Sequence, residues 1–292
     1  MPDGHLGSER TGRRGTLRHP AGMTDRSTAA GGADAVLPRP LRLAGAPNFR
    51  DLGGIAATDG RRIAPRRLFR GEAFAELSAR DWAAVRAVGL RLVCDLRSPA
   101  ERAKADVRWP ESVRQLHLPV LPDERAAGAA VFRRIAEDPS GAAARDVLLG
   151  NYGSMPATVA GSLRELFTGI IDHDGVPVLI YCREGKDRTG FVTALLLAAL
   201  GVEWDAIVAD YLLSAPHFDA DGARRTISRL SGIDEREGPS EAAIEALRVR
   251  PEYLRRAFDV IDSDFGGVDE YLHRAGGLDT ERRRRLQAVF LD

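Results

Sequence analysis

Residues 176–190 read Val176-Pro177-Val178-Leu179-Ile180-Tyr181-Cys182-Arg183-Glu184-Gly185-Lys186-Asp187-Arg188-Thr189-Gly190. The first six form an apolar, partly β-branched run of the length expected for a fully buried strand. A polar turn with one glycine follows. From Thr189 an apolar stretch reads as a helix to Leu200, where Gly201 stops it. A strand that passes through a tight loop into a helix is half of the unit from which parallel α/β sheets are built.

Outward from this segment the same alternation recurs. Ser78 with Asp81 three residues on has the form of a capping box, Trp82, Val85 and Val88 repeat at helical spacing, and Gly89 closes that helix. Leu90 to Leu96 reads as a buried strand, Arg114 to Val120 as a weaker one, and Arg67 to Gly71 as a short one. Asn48 to Gly54 reads as a polar turn. Residues 123–150 read as helical in pieces, and Ser154 to Ile171 as an amphipathic helix with Val159, Leu163, Leu166 and Ile170 on one face. Further helices follow over Asp205 to Leu213, after Pro251 and after Asp279. Residues 215–248, broken by Gly222, Gly232 and Gly238, read as short helices poorly committed to the core. The expected architecture is α/β, a central mainly parallel sheet flanked by helices, over residues 38–292. Residues 1–37, poor in apolar periodicity, read as a disordered tail.

Composition narrows the function. Lysine plus arginine number 42 against 42 acidic residues, so no basic excess points to nucleic acid. The arginines of residues 9–18 and Arg282 to Arg285 read as solvated surface. Two cysteines, Cys94 and Cys182, are too few for a disulfide scaffold and suit a reducing compartment. The six histidines show no metal-ligand spacing, so neither a metal nor another cofactor is expected. No apolar stretch approaches the ~20 residues of a membrane-spanning helix, and no secretory h-region is visible. The cytoplasm is the expected location, with export without a signal peptide as the alternative.

The chemistry resides in Cys182 to Arg188. A loop between a strand and a helix N-terminus can turn successive N–H groups inward to bind a dianion such as phosphate. Gly185 allows the tight turn. Arg188, six positions after the cysteine, offers a planar fork for two phosphate oxygens. The field of these groups favours the thiolate of Cys182, a nucleophile aimed at bound phosphorus. Thr189 can donate its hydroxyl to the sulfur. Taken alone, Cys182 is an inert buried cysteine; the complete strand–C(x5)R–T–G–helix arrangement favours phosphate chemistry.

This arrangement resembles the signature loop of the cysteine-dependent protein tyrosine phosphatases. With Gly185-Lys186-Asp187-Arg188-Thr189-Gly190, Asn48-Phe49-Arg50-Asp51 upstream and Asp95-Leu96-Arg97-Ser98 between, it is similar to the bacterial tyrosine phosphatase B group over roughly residues 41–292. The resemblance implies Cys182 as nucleophile, Arg188 as phosphate clamp and Asp187 as general acid, with Arg183, Glu184, Gly185, Lys186 and Thr189 as substrate-binding residues. Lys186 would add charge for phosphate or a second anionic group. Asp95 would orient Arg188 or Lys186, serve as the acid instead, or simply pair with Arg97. Asn48 to Asp51 read as structural. Tyr152 and Met155 would line the slot or belong to the core. Residues 215–248 match a helical lid, with Ile227, Leu230 and Ile233 closing over the pocket. Tyr181 stands where the family usually has histidine, and Glu184, where a small residue is common, is expected to face outward. The implied substrate is a phosphotyrosine protein, with phosphoserine, phosphothreonine or phosphoinositides in play. The rivals are a phosphate-binding module without catalysis and a rhodanese-like sulfur carrier.

Overall fold

The computed structural model describes residues 43–292 apart from 75, 106, 121–127 and 173; the expected tail lies outside them. Five strands form one sheet: β1 (Arg50–Asp51), β2 (Leu68–Gly71), β3 (Leu92–Asp95), β4 (Arg114–His117) and β5 (Val178–Tyr181). Their order is β1-β2-β5-β3-β4. Only β1, within the stretch read as a polar turn, runs antiparallel to its neighbour.

All four residues of β5 are buried, as the apolar run predicts for a strand covered on both faces. Its side chains alternate between two cores. Val178 and Ile180 join the larger one, which includes residues of α4 (Ala142–Ile171), α5 (Asp187–Ala199) and α9 (Pro251–Phe265). Leu179 and Tyr181 join the smaller one, with Phe49, Phe69, Val93, Trp109 and residues of α1 (Ala79–Val88). In register, Gly71 of β2 and Asp95 of β3 both stand beside Tyr181. The carboxyl ends of three adjacent parallel strands therefore converge where Cys182 begins its loop, the position at which open α/β sheets bind ligands.

Two elements differ from the sequence expectation. Helix α4 begins at Ala142, twelve residues before Ser154, and passes through Pro156. Leu148, Tyr152, Met155 and Val159 form one continuous buried stripe across the proline, and this packing outweighs the roughly 3 kcal/mol that an interior proline costs. The second difference is the segment 215–248, with a 3-10 turn at Ala215–His217, α7 (Ala220–Ser231) and α8 (Glu241–Ala246). It is not poorly committed. Ile227, Ala243 and Ile244 pack with Ile135 and Ala136 of α3 (Ala129–Glu137) and with Ala143 and Ala144 of α4 in a separate small core. Each contributing stretch supplies too few apolar residues to show a periodicity of its own. The remaining helices are α2 (Pro99–Lys104), α6 (Trp204–Leu212), α10 (Val268–Arg274) and α11 (Thr280–Phe290). None among the described residues is long and apolar enough to cross a membrane.

Because this small core is separate from those of the sheet, Ile227→Asp, which buries an unpaired carboxylate there, is expected to open residues 215–248 locally. Hydrogen exchange should rise in α7 and α8 while β3 and β5 stay protected; equal loss of protection throughout would show one cooperative unit instead.

Candidate active site

The loop after β5 is held from outside by its carbonyls. Ala73 N–H donates to the carbonyl of Arg183 at 3.1 Å, Asn48 Nδ2 to that of Glu184 at 3.1 Å, and Arg70 Nη2 to those of Gly185 and Lys186 at 2.9 and 3.4 Å. A peptide unit that points its carbonyl outward points its N–H inward. The four N–H groups of these peptide units, those of residues 184–187, make no backbone hydrogen bond among the described residues. They form an anion-binding nest that ends at the N-terminus of α5. Gly185 is required on two counts: its φ is +68°, and a Cβ there would lie 2.6 Å from the carbonyl carbon of Gly71.

Arg70, which holds this loop, and its neighbour Arg50 are themselves buried. Arg50 Nε and Arg70 Nη1 reach the two carboxylate oxygens of Asp210 on α6 at 3.0 and 2.6 Å. Arg50 also donates to the side-chain oxygen of Asn48 at 2.6 Å. Burial brings Arg50 down to about 10, against the pull of Asp210. Burial would raise Asp210, but its two arginine partners hold it below the usual carboxylate range. Asn48 to Asp51, read as structural, thus reach the loop through Asn48 and Arg50. Arg70 and Asp210 had no distinguishing mark in the sequence, since an arginine in a short strand and an aspartate in a helix are ordinary.

Cys182 is 2% exposed and starts the loop. Arg188, one residue into α5, is held by Glu101 of α2 through paired bonds of 2.6 and 2.8 Å. Burial alone would lower the Arg188 pKa, but the nearby Cys182 sulfur and Glu101 raise it. Burial would raise Glu101, yet the bonds from Arg188 and Ser98 bring it to about 2. Glu101 is the third residue of a capping box with Ser98, and that local pattern was its one sequence signal.

Asp187 sits between two donors: the Tyr152 hydroxyl at 2.9 Å and Lys186 Nζ at 2.8 Å. The Tyr152 proton is committed to Asp187, so the 2.7 Å contact between the tyrosine hydroxyls is donated by Tyr211. Burial keeps both phenols protonated. Tyr152 is fully buried yet bonds the loop; Met155 lies in the core.

Some expected roles meet a different geometry, while the pairing of Asp95 with Arg97 and the outward Glu184 follow the sequence reading. Asp95 does not touch Arg188 or Lys186. It accepts from Arg97 Nε and Nη2 and, at 2.8 Å, from the Tyr181 hydroxyl, because β3 delivers it to the side of the sheet where Tyr181 points. Tyr181 packs there against Phe74 and Trp109, in a different core from Cys182. Lys186 is turned inward, donating to the Leu247 carbonyl at 3.0 Å with its ammonium 5.2 Å from the Phe218 ring. The Thr189 hydroxyl, fully buried, has no partner among the described residues, so it makes no bond to sulfur. Glu184 and Arg183 have exposed side chains. Ile227 is buried in the small core and Ile233 packs against it, while Leu230 is exposed. Cys94 is buried and unpaired, its thiol pushed up by burial. Among the described residues no group of three or more His, Cys, Asp or Glu is arranged to hold a metal.

Cys182, Arg188 and the loop between them, at the end of a parallel strand, form a candidate phosphoryl-transfer site, and sequence comparison points to the same chemistry. The chain belongs to the tyrosine phosphatase family, whose model matches residues 41–292. A Cupriavidus necator protein called "Putative tyrosine-protein phosphatase" is 35% identical over 240 residues, 81% of this chain and 84% of that protein. The triple specificity protein phosphatase PtpB of Mycobacterium tuberculosis is 33% identical over 282 residues, 85% of this chain and 98% of that protein. The crystal structure of P. aeruginosa TpbA aligns with 64% of this chain and 89% of its own at 19% identity and a TM-score of 0.29.

Two outcomes follow from the support beneath the loop. Asp210→Ala strands two buried guanidinium groups and is expected to cost about 3–5 kcal/mol of folding stability, read by denaturant unfolding; a loss under 1 kcal/mol would show the arginines to be solvated. Glu72 accepts from Asn48 N–H at 3.1 Å, and burial raises its carboxyl to about 7 from 4.5. The folded protein then keeps a proton that the unfolded chain releases, so this group lowers stability as pH rises from about 4.5 to 7. The unfolding midpoint should fall less between those pH values in Glu72→Gln than in the parent; parallel curves would refute the assignment.

Proposed function

We propose that the protein hydrolyses phosphotyrosine on protein substrates through a cysteinyl-phosphate intermediate. The observation that carries this reading is the loop whose carbonyls are tied outward, so that its N–H groups face the space between Cys182 and Arg188. In the first step the Cys182 thiolate attacks phosphorus, the S–P bond forms and the P–O bond to the phenol breaks. The inward N–H groups of residues 184–187 and the Arg188 fork stabilise the equatorial oxygens. Glu101 keeps Arg188 in the orientation this requires. Asp187 supplies the proton that the leaving phenolate takes up. In the second step water attacks phosphorus, Asp187 accepts its proton and the sulfur leaves. The Tyr152 hydroxyl can donate or accept, so it can hold Asp187 in both protonation states.

Asp187 is favoured over Asp95 as the acid because it lies in the loop beside Arg188, with its side chain 25% exposed against 4% for Asp95. Residues 215–248 fit the role of a lid: Phe218 and the Leu247 carbonyl meet Lys186 of the loop, and Arg248 spans the base of the segment by donating to the Ala215 carbonyl. The name of PtpB records three specificities, which supports assaying phosphoserine, phosphothreonine and phosphoinositides beside phosphotyrosine.

Aryl phosphate hydrolysis is expected to persist with chelator present and to vanish in Cys182→Ser. Asp187→Asn should lower kcat by about 10²–10⁴ for esters of basic phenols and much less for esters of acidic phenols. A folded parent protein that binds phosphate without turnover would replace this reading with a binding module. An equal loss across leaving groups would remove Asp187 from the acid role.

A further inference from the structure

Beside the loop lies a cavity of about 520 Å³ whose walls include Arg97, Glu101, Lys104, Arg183, Arg229 and Glu76. That volume falls within the range of ligand-binding pockets. The charges in its walls are not equivalent. Arg97 is committed to Asp95 and Glu101 to Arg188. Lys104 on α2, Arg183 directly after Cys182 and Arg229 on α7 are exposed, and none is ion-paired among the described residues. Glu76 is the acid left to oppose them. The free charge facing this cavity is therefore positive, and it comes from three separate elements. One of these is the nucleophile loop itself.

We infer that this cavity is a subsite for a second anionic group on the substrate, and that the preferred substrate is a phosphotyrosine peptide with acidic residues next to the phosphotyrosine. The inference rests on the phosphatase reading above. Because Glu101 lines the cavity and also holds Arg188, the subsite adjoins the phosphate clamp. A phosphotyrosine ring stands between its phosphate and the peptide backbone, so side chains flanking it come to rest at the rim of the loop, where the exposed Arg183 faces this cavity. A second phosphate on one small ring would instead lie close beside the reacting phosphate. The loop cation nearest such a group, Lys186, is buried and already engaged by Asp187 and the Leu247 carbonyl. The available charge is thus at the rim, which favours a peptide over an inositol headgroup. Arg229 belongs to α7, so an acidic peptide would also bridge the sheet domain and the segment 215–248.

Two phosphotyrosine peptides that differ only in glutamate or alanine at the flanking positions decide the matter. At low salt, kcat/KM of the parent protein is expected to be roughly tenfold higher for the glutamate peptide. This ratio should fall towards one in Lys104→Ala/Arg229→Ala, recover in Lys104→Arg/Arg229→Lys, and shrink in salt above about 0.1 M, where the screening length is ~10 Å. A parent ratio near one, or a ratio that the double alanine variant leaves unchanged, overturns the inference. So does a result in which only turnover of a bis-phosphorylated, short-chain phosphoinositide responds to the double variant; that would assign the cavity to a headgroup. Aryl phosphate turnover lost in Cys182→Ser tests the phosphatase reading separately. If the parent turns over no phosphoester, calorimetric Kd values of the same two peptides on Cys182→Ser, with and without the double substitution, decide the subsite by the same ratios.

Discussion

The outward tethering of the loop carbonyls is the constraint on which the site depends. A run of peptide units with inward N–H groups concentrates partial positive charge, and without a bound anion those groups repel one another. Arg70 opposes this by drawing two successive carbonyls outward, while Asn48 and Ala73 draw the two before them. Arg70 is held in turn by Asp210, which Arg50 shares. Charges this deeply buried are costly unless each is matched. Here Asp210 meets two guanidinium groups whose remaining donors go mostly to backbone and side-chain oxygens, with Arg70 Nε left without a partner among the described residues. Residues more than a hundred positions apart therefore set the shape of seven consecutive ones.

The central strand divides two tasks between the two faces of the sheet. Cys182 belongs to the larger core beneath α4 and α5, whereas Tyr181, one residue earlier, belongs to the smaller aromatic core. Tyr181 and Arg97 fix Asp95, and Arg97 also bonds the Ala105 carbonyl at the end of α2. The same short helix begins with the capping box of Ser98 and Glu101, and Glu101 holds Arg188. The network around Tyr181 thus ties down the C-terminal end of α2, while the capping box at its other end positions the Glu101 that holds Arg188. A tyrosine suits that position because it fills an aromatic pocket with its ring and satisfies a buried carboxylate with its hydroxyl.

The segment 215–248 is coupled to the loop by different physics. It carries its own small core and meets the loop through Lys186, whose ammonium lies against Phe218 and bonds a carbonyl near the segment's other end. Burial works against the charged form of Lys186, but Asp187 and Glu184 outweigh it. A small separate core gives the local stability that permits a segment to open without unfolding the sheet. The same ammonium pairs with Asp187, so one cation joins the segment to the candidate acid.

What the sequence by itself determined is local. The apolar run before Cys182, the glycine and arginine spacing after it, and the capping residues of α1 are properties of neighbouring positions. Periodicity and backbone conformation expose such features directly, so the parallel sheet, the loop and the candidate nucleophile and clamp were legible. What only the tertiary structure decided involves partners distant in the chain. Examples are Glu101 rather than Asp95 against Arg188, Arg70 and Asp210 beneath the loop, Tyr152 on Asp187, and Lys186 turned inward. Helix α4 ran through Pro156 for the same reason, since a buried stripe formed with other helices outweighed a local penalty. Charged and hydroxyl side chains carry no periodic signature of their partners, and a salt bridge across 160 residues exists only once the strands have brought its two ends together.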